Sequence, residues 1–302
     1  MKKLLQIFCY PDFFLFNSSQ NFLYYCSIKK LLLILTYFKR NLKLLNSMLI
    51  LLQNNTSLFI RIILSLSFLG HGLVSLNLSP SYTLHYNLVQ SINFTNISTE
   101  KIVEFQGWFD ILISLLLIIR VKLKSVLYII LLYLSLVCVS AITLYWGITD
   151  SVFGIAECLR RLPWIFLSLY LLFEIKGVRK YHFIRMALSF AFLAHGLASL
   201  GFLGLNQGHI DLAIKIVPAD SARFFVSLSG ITDTIIGMML LQSIFTRYVA
   251  IIGMLWIAFI VYISYLNAIP DAIFRLGFLL IAIYVIFDPR TYSPKLISYE
   301  KQ

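Results

Sequence analysis

Arg61 to Leu76 reads RIILSLSFLGHGLVSL, and Arg185 to Leu200 reads RMALSFAFLAHGLASL. Ten of the sixteen positions are identical at an offset of 124, and the matches include Arg, His and Gly as well as leucines, so the two segments are copies of one unit. Each copy is an apolar run opened by an arginine. A run of this kind is nearly long enough, at ~1.5 Å per residue, to cross a hydrocarbon layer of ~30 Å. The copies predict a duplicated membrane protein.

The echo extends outward from these segments. Gly107-Trp-Phe-Asp110 matches Gly230-Ile-Thr-Asp233 at an offset of 123, and Glu157 to Leu162 matches Asp271 to Leu276, with Arg161 and Arg275 each four residues after the acid. Each half therefore offers one histidine, one aspartate and one acid/arginine pair. Reading apolar runs between charged or Asn-rich breaks gives eight spans, at about 57–76, 104–119, 125–146, 159–174, 183–205, 223–244, 247–268 and 271–287. The expected fold is all-α and integral to the membrane, with eight transmembrane helices arranged as two tandem four-helix bundles. The first four-helix repeat covers 57–176 and the second 181–290, followed by a cytoplasmic tail at 291–302. Four helices is an even number, so both repeats enter from the same side and are parallel, related by an axis near the membrane normal.

Composition agrees with this reading. Of 302 residues 60% are hydrophobic and 13% charged, with mean hydropathy +0.86, whereas soluble domains carry roughly a quarter charged residues. The net charge of +12 does not point to nucleic acid, because the basic residues collect in short loops and form no stripe interleaved with aromatics. After residue 55, one set of alternate loops holds Arg61, Arg120, Lys122, Lys124, Lys176, Arg179, Lys180, Arg185, Arg247, Arg290, Lys295 and Lys301, twelve in all, against three acids. The opposite loops and helix ends hold six basic residues and seven acids. The positive-inside rule puts the first set, and both termini, in the cytoplasm. Residues 1–56 lie outside the repeat. Their apolar runs are too short to span and no small-residue cleavage site follows, so the segment reads either as a basic, aromatic interfacial arm or as sequence upstream of a start at Met48. Cys9, Cys26, Cys138 and Cys158 form no CxxC or regular ladder, and neither a disulfide framework nor a metal site is expected.

The polar residues inside the spans carry whatever chemistry there is. His71 and His195 lie ten residues, ~15 Å, beyond the arginines that open their helices, near mid-membrane or slightly past it. An imidazole at that depth must find a partner. Gly72 and Gly196 beside them allow a neighbouring helix to come close. Asp110 and Asp233 sit one or two turns below the outer ends of the next helices, and antiparallel packing can bring each to the level of its histidine. A carboxylate there is paired, protonated or in contact with water. Glu157 with Arg161, and Asp271 with Arg275, have the i, i+4 spacing that places opposite charges on one helix face. The expectation is one pocket per repeat, the first built from His71, Asp110, Glu157 and Arg161, the second from His195, Asp233, Asp271 and Arg275. The plainer reading of each group is a hydrogen-bonded structural contact. Arg61 and Arg185 read as anchors at the inner interface.

An Arg, an HG pair in the first helix and a Gly with an acid early in the second make this chain resemble the DoxX and DoxX-like membrane proteins. The residues that carry the resemblance are Arg61, His71, Gly72, Gly107 and Asp110, then Arg185, His195, Gly196, Gly230 and Asp233, over about 57–290. The chain departs from that pattern in being duplicated and in having Asp where Glu is expected. The resemblance implies a subunit of a membrane redox system in a prokaryotic inner or plasma membrane, handling quinol or thiols, with other redox subunits as partners. It also implies a quinone or other small lipophilic molecule held in polar intramembrane pockets. The rival from another class is a transporter or carrier whose acid/His/Arg sites are linked to protons. Haem held between two histidines is a further alternative.

Overall fold

The computed structural model describes residues 54–92, 96–148, 151–173, 179–201, 207–288 and 291. All but Asn54 belong to one compact unit, Asn55–Gln302. The expectations for the amino-terminal extension and the carboxyl-terminal tail fall almost wholly outside the described residues. Ten helices make up the described chain: α1 Thr56–Ser75, α2 Tyr82–Ile92, α3 Thr99–Ile119, α4 Leu123–Ile148, α5 Ser151–Leu172, α6 Arg179–Ser199, α7 Gln207–Ala213, α8 Ala219–Leu241, α9 Thr246–Asn267 and α10 Ile269–Phe287. No strand occurs among the described residues. Six helices, α1, α3, α4, α8, α9 and α10, are long and apolar enough to cross a membrane. The protein is an all-α membrane protein, as a chain that must satisfy every backbone polar group within its own segments requires.

Each apolar run read from the sequence overlaps a helix among the described residues. The short helices α2 and α7 were not anticipated; they follow α1 and α6 in stretches too polar to register as spans. Helix limits follow local chemistry. Pro270 occupies the first turn of α10, where a missing N–H costs nothing. Arg120 closes α3 in the left-handed region. Arg61, buried, donates from Nη1 to the carbonyls of Leu117 and Ile118, so a cation satisfies the last turn of α3 at the negative end of its dipole. Arg185 does comparable work in α6 by bonding Ser243 and the Thr291 carbonyl. Both arginines are buried ties between helices, a more specific role than interfacial anchoring.

Packing departs from two bundles each closed within its own half. Helix α1 lies against α3 and α10, and touches α5 only lightly. Helix α6 lies against α5 and α8, and touches α10 lightly. The first helix of each half is thus flanked by the last helix of the other half, giving one row α3–α1–α10–α9 and a second α4–α5–α6–α8. Of the six long apolar helices, α1 and α10 are the most enclosed, whereas α3, α4, α8 and α9 turn most of their length outward. One core, including Ile60, Leu64, Phe68, Trp164, Leu167, Ile184, Leu188, Ile281 and Tyr284, runs through both halves.

Small residues make these contacts possible, since in lipid helices gain little from burying apolar surface and must pack closely instead. A Cβ on Gly72 would stand 2.7 Å from the Gly107 carbonyl oxygen, and one on Gly196 would stand 2.9 Å from that of Gly230. On the exchanged contact, a Cβ on Gly70 would meet the backbone of Phe274 and one on Gly277 would meet Ser67. Gly70→Ala should therefore force α1 and α10 apart and cost about 1–3 kcal/mol, as overpacked sites do. Gly253→Ala should cost less, because it meets the ring of Phe192, which can turn aside. Thermal unfolding of the two variants in mild detergent measures the difference, and equal losses would contradict the packing described.

Candidate functional site

The close approach of α1 to α3 brings His71 Nδ1 to 2.6 Å from Oδ2 of Asp110, which is fully buried. A turn nearer the start of α1, Ser65 Oγ stands 2.7 Å from Ser114 Oγ. The corresponding faces of α6 and α8 meet in the same manner, with Ser189 Oγ donating to the Gly237 carbonyl at 2.7 Å and His195 Nδ1 4.0 Å from Asp233 Oδ2. The second pair is looser. His195 keeps 42% of its side chain accessible, on the cavity side, whereas His71 keeps 5%.

Each of these histidines stacks on another. The rings of His71 and His85 are 4.4 Å apart, and Ser75 Oγ lies 3.0 Å from His85 Nδ1. The rings of His195 and His209 are 4.7 Å apart, and Ser199 Oγ lies 2.9 Å from His209 Nδ1. His85 is carried by α2 and His209 by α7. These two histidines were missed in the sequence, yet they fall at the same offset of 124 as His71 and His195. Each half thus brings two histidines to its seam, not one.

Between the rows lies a cavity of about 280 Å³, to which both halves contribute. All four of these histidines line it, with Arg160 and Arg161 from α5, Asp233 from α8, and Asp271 and Arg275 from α10. Asp110 stands behind His71 and does not line the cavity. The expectation of one pocket per repeat is corrected here: His71 and Arg161 of the first half face the same space as His195, Asp233, Asp271 and Arg275 of the second, because α1 packs with α10 and α6 with α5. The side chain of Glu157 lies outside what the structure describes, so the Glu157/Arg161 pair does too. Arg161 sits 5.5 Å over the ring of Trp164. Trp164 in turn packs its edge against His71 and Phe274.

The pair Asp271/Arg275 forms as its spacing suggests. Arg275 Nη1 donates to the Asp271 carbonyl at 3.0 Å and stands 3.7 Å from its carboxylate. Ser79, beyond the end of α1, and Asn267, at the end of α9, also donate to that carboxylate. Asp271 thereby ties the segment after α1 to α9 and α10. Among the described residues no three of His, Cys, Asp and Glu are grouped so as to hold a metal ion. Cys138 directs its thiol at the Cys158 carbonyl.

The arrangement can bind, orient and exchange protons. Guanidinium and imidazole groups supply donors to a ligand oxygen, carboxylates stand behind or beside the imidazoles, and apolar residues such as Phe274, Phe278, Trp256 and Ile257 complete the wall. Burial first, and then the neighbouring His195, Arg160 and Arg275, hold His209 well below the usual histidine range. His209 therefore enters the closed structure as a neutral ring.

No protein-family model matches the chain, and no curated protein or solved structure matches it either.

Two outcomes follow from this geometry. Asp110→Asn, which replaces a short bond to His71, should lower stability by about 1–3 kcal/mol, and Asp233→Asn should lower it less; equilibrium denaturation of both in detergent makes the comparison. Because the folded value of His209 is below its ordinary 6.5, the undocked state takes up the proton first. Docking of α7 should thus be intact above about pH 6.5 and weaken as pH falls below it. Hydrogen exchange across 207–213 measured against pH should show the loss, and His209→Gln should flatten it.

Proposed function

We propose that this protein is a DoxX-like subunit of a membrane redox system that binds one quinone, or a similarly small lipophilic molecule, in the cavity between its halves. In this reading eight helices cross a prokaryotic inner membrane as two tandem repeats, with both termini in the cytoplasm. The observation that carries the reading is the convergence of the polar groups repeated in the sequence on a single space with apolar walls. Buried ionisable groups in a membrane protein are expensive, and those that persist face one another or a functional cavity. Here Arg160 and Arg161, the charges that make α5 a poor candidate for lipid exposure, face that cavity. This supports counting α5 among the crossing helices.

A quinone carbonyl needs a donor in its oxidised form and a proton route on reduction. His71 and His195 supply donors from the two sides, with Asp110 behind His71 and Asp233 beside His195 on the cavity wall as groups able to share the proton. The cavity volume is near the lower end of the ~300–1,000 Å³ typical of small-molecule sites, which fits a ring-sized head and not two.

A carrier function is the second reading, and one observation favours it: the cavity lies between sequence-related halves, where many carriers place their substrate. The two readings separate in one assay. Trp256 lines the cavity and Trp164 packs against His71, so titration of the purified protein with a naphthoquinone should quench tryptophan emission and saturate at one equivalent. His71→Ala and His195→Ala should each weaken the same binding event. No saturable quenching, together with substrate-dependent flux in proteoliposomes, would replace the redox reading by the carrier.

A further inference from the structure

The two histidine seams meet the cavity differently. In the first, Asp110 uses Oδ2 on His71 at 2.6 Å and does not line the cavity. Tyr133 of α4 directs its hydroxyl at the same carboxylate and is itself held by Gln106, whose Nε2 donates to it at 2.8 Å. In the second, Asp233 lines the cavity and stands 4.0 Å from His195, too far for a hydrogen bond. The offset of 123 puts Trp256 in the place of Tyr133 and Ser229 in the place of Gln106. The turns before α4 and α9 keep that register, since Arg120 and Lys122 match Ser243 and Phe245, all four with positive φ. Trp256 offers Asp233 an N–H but cannot accept a bond, and Ser229 turns back to the Val226 carbonyl of its own helix. Both line the cavity. The first seam is closed upon itself, and the second is left open toward the cavity.

Resting on the reading of this space as a small-molecule site, we infer that its ligand carries a hydroxyl on a flat ring, as a phenol or a quinol does, and that this hydroxyl completes the second seam. Its O–H donates to Asp233 Oδ2, and its oxygen accepts from His195 Nδ1. An oxygen about 2.8 Å from each spans the 4.0 Å gap, whereas the 2.6 Å contact of the first seam admits no atom. Asp233 is short of donors: Oδ1 is buried without a hydrogen-bond partner among the described residues. His195 has the accessible surface to meet a ligand, 42% of its side chain against 5% for His71. An enclosed carboxylate left partly unsatisfied carries a desolvation cost that a ligand donor relieves and a ligand without one leaves in place. A quinone offers Asp233 only carbonyl oxygens, which accept, so the reduced form is the better match.

The test titrates two probes of nearly equal shape calorimetrically into the full-length protein in detergent: the monomethyl ether of naphthoquinol, which keeps one hydroxyl, and the dimethyl ether, which keeps none. The hydroxyl-bearing probe should bind at least about tenfold more tightly. Asp233→Ala should bring the two affinities within about twofold of each other, by weakening the monoether and leaving the diether nearly unchanged. Equal affinities for the wild-type protein, or binding of naphthoquinone alone, would overturn the hydroxyl assignment and leave the cavity as a site for molecules that only accept. A preference that survives Asp233→Ala would also overturn it, since the hydroxyl would then lie elsewhere. Binding of neither ether nor of naphthoquinone would overturn the binding reading itself. Should Asp233→Ala not fold, Asp233→Asn keeps the shape and removes the charge, and it should lower the preference at least about threefold; an undiminished preference in that variant contradicts the assignment.

Discussion

The structure depends on the approach of α1 to α3 across Gly72 and Gly107, which lets an imidazole and a carboxylate meet inside a hydrocarbon layer. Neither His71 nor Asp110 is tolerable alone at that depth, and a 2.6 Å contact pairs them. The absence of a Cβ at either glycine is what allows the bond, and the bond in turn fixes the rotation of both helices. Ser65 with Ser114 extends the same seam. The second seam has the same glycines and the same His and Asp, but Gly237 replaces Ser114 and His195 stands 4.0 Å from Asp233, so it is the looser of the two. The small residues and the polar residues are one device, since either without the other would leave a buried group unpaired.

A second constraint comes from the helices that close each half. Gly70 and Gly277 permit α10 to lie against α1, so the last helix of the second half covers the first helix of the first, and α5 covers α6 in return. Two histidine seams then face each other across one cavity, and arginines from α5 and α10 are enclosed there. The short helices α2 and α7 bring a second imidazole to each seam. The related segments meet in a single site, where Arg160 and Phe274 stand at matching positions.

Much of this was legible beforehand, and the boundary of legibility is physical. Ten matches across Arg61–Leu76 and Arg185–Leu200 relate the two segments, and the positions of His71 and Asp110 on successive apolar runs make their meeting foreseeable. His85 and His209 were missed because they lie on short helices outside the apolar runs; the offset of 124 marks them once it is applied beyond the spans. The exchange of α5 and α10 was not foreseeable from span counting. Apolar periodicity tells which residues enter the membrane but not which helix faces which. The number of pockets followed from that exchange and could not be read before it.

The shared core is tested most directly by cross-linking α1 to α10. Ser67 and Gly277 meet closely between those helices, with Ser67 Oγ standing where a Cβ on residue 277 would fall. In a background with the native cysteines replaced, Ser67→Cys with Gly277→Cys should form an intramolecular disulfide in membranes under mild oxidant, seen as a shift in mobility that reductant reverses. Ser67→Cys paired with a cysteine introduced at Leu169 of α5, the helix that would close a self-contained first bundle, should not. Ready formation of the α1–α5 cross-link in place of the α1–α10 one would contradict the exchanged arrangement and, with it, the single cavity.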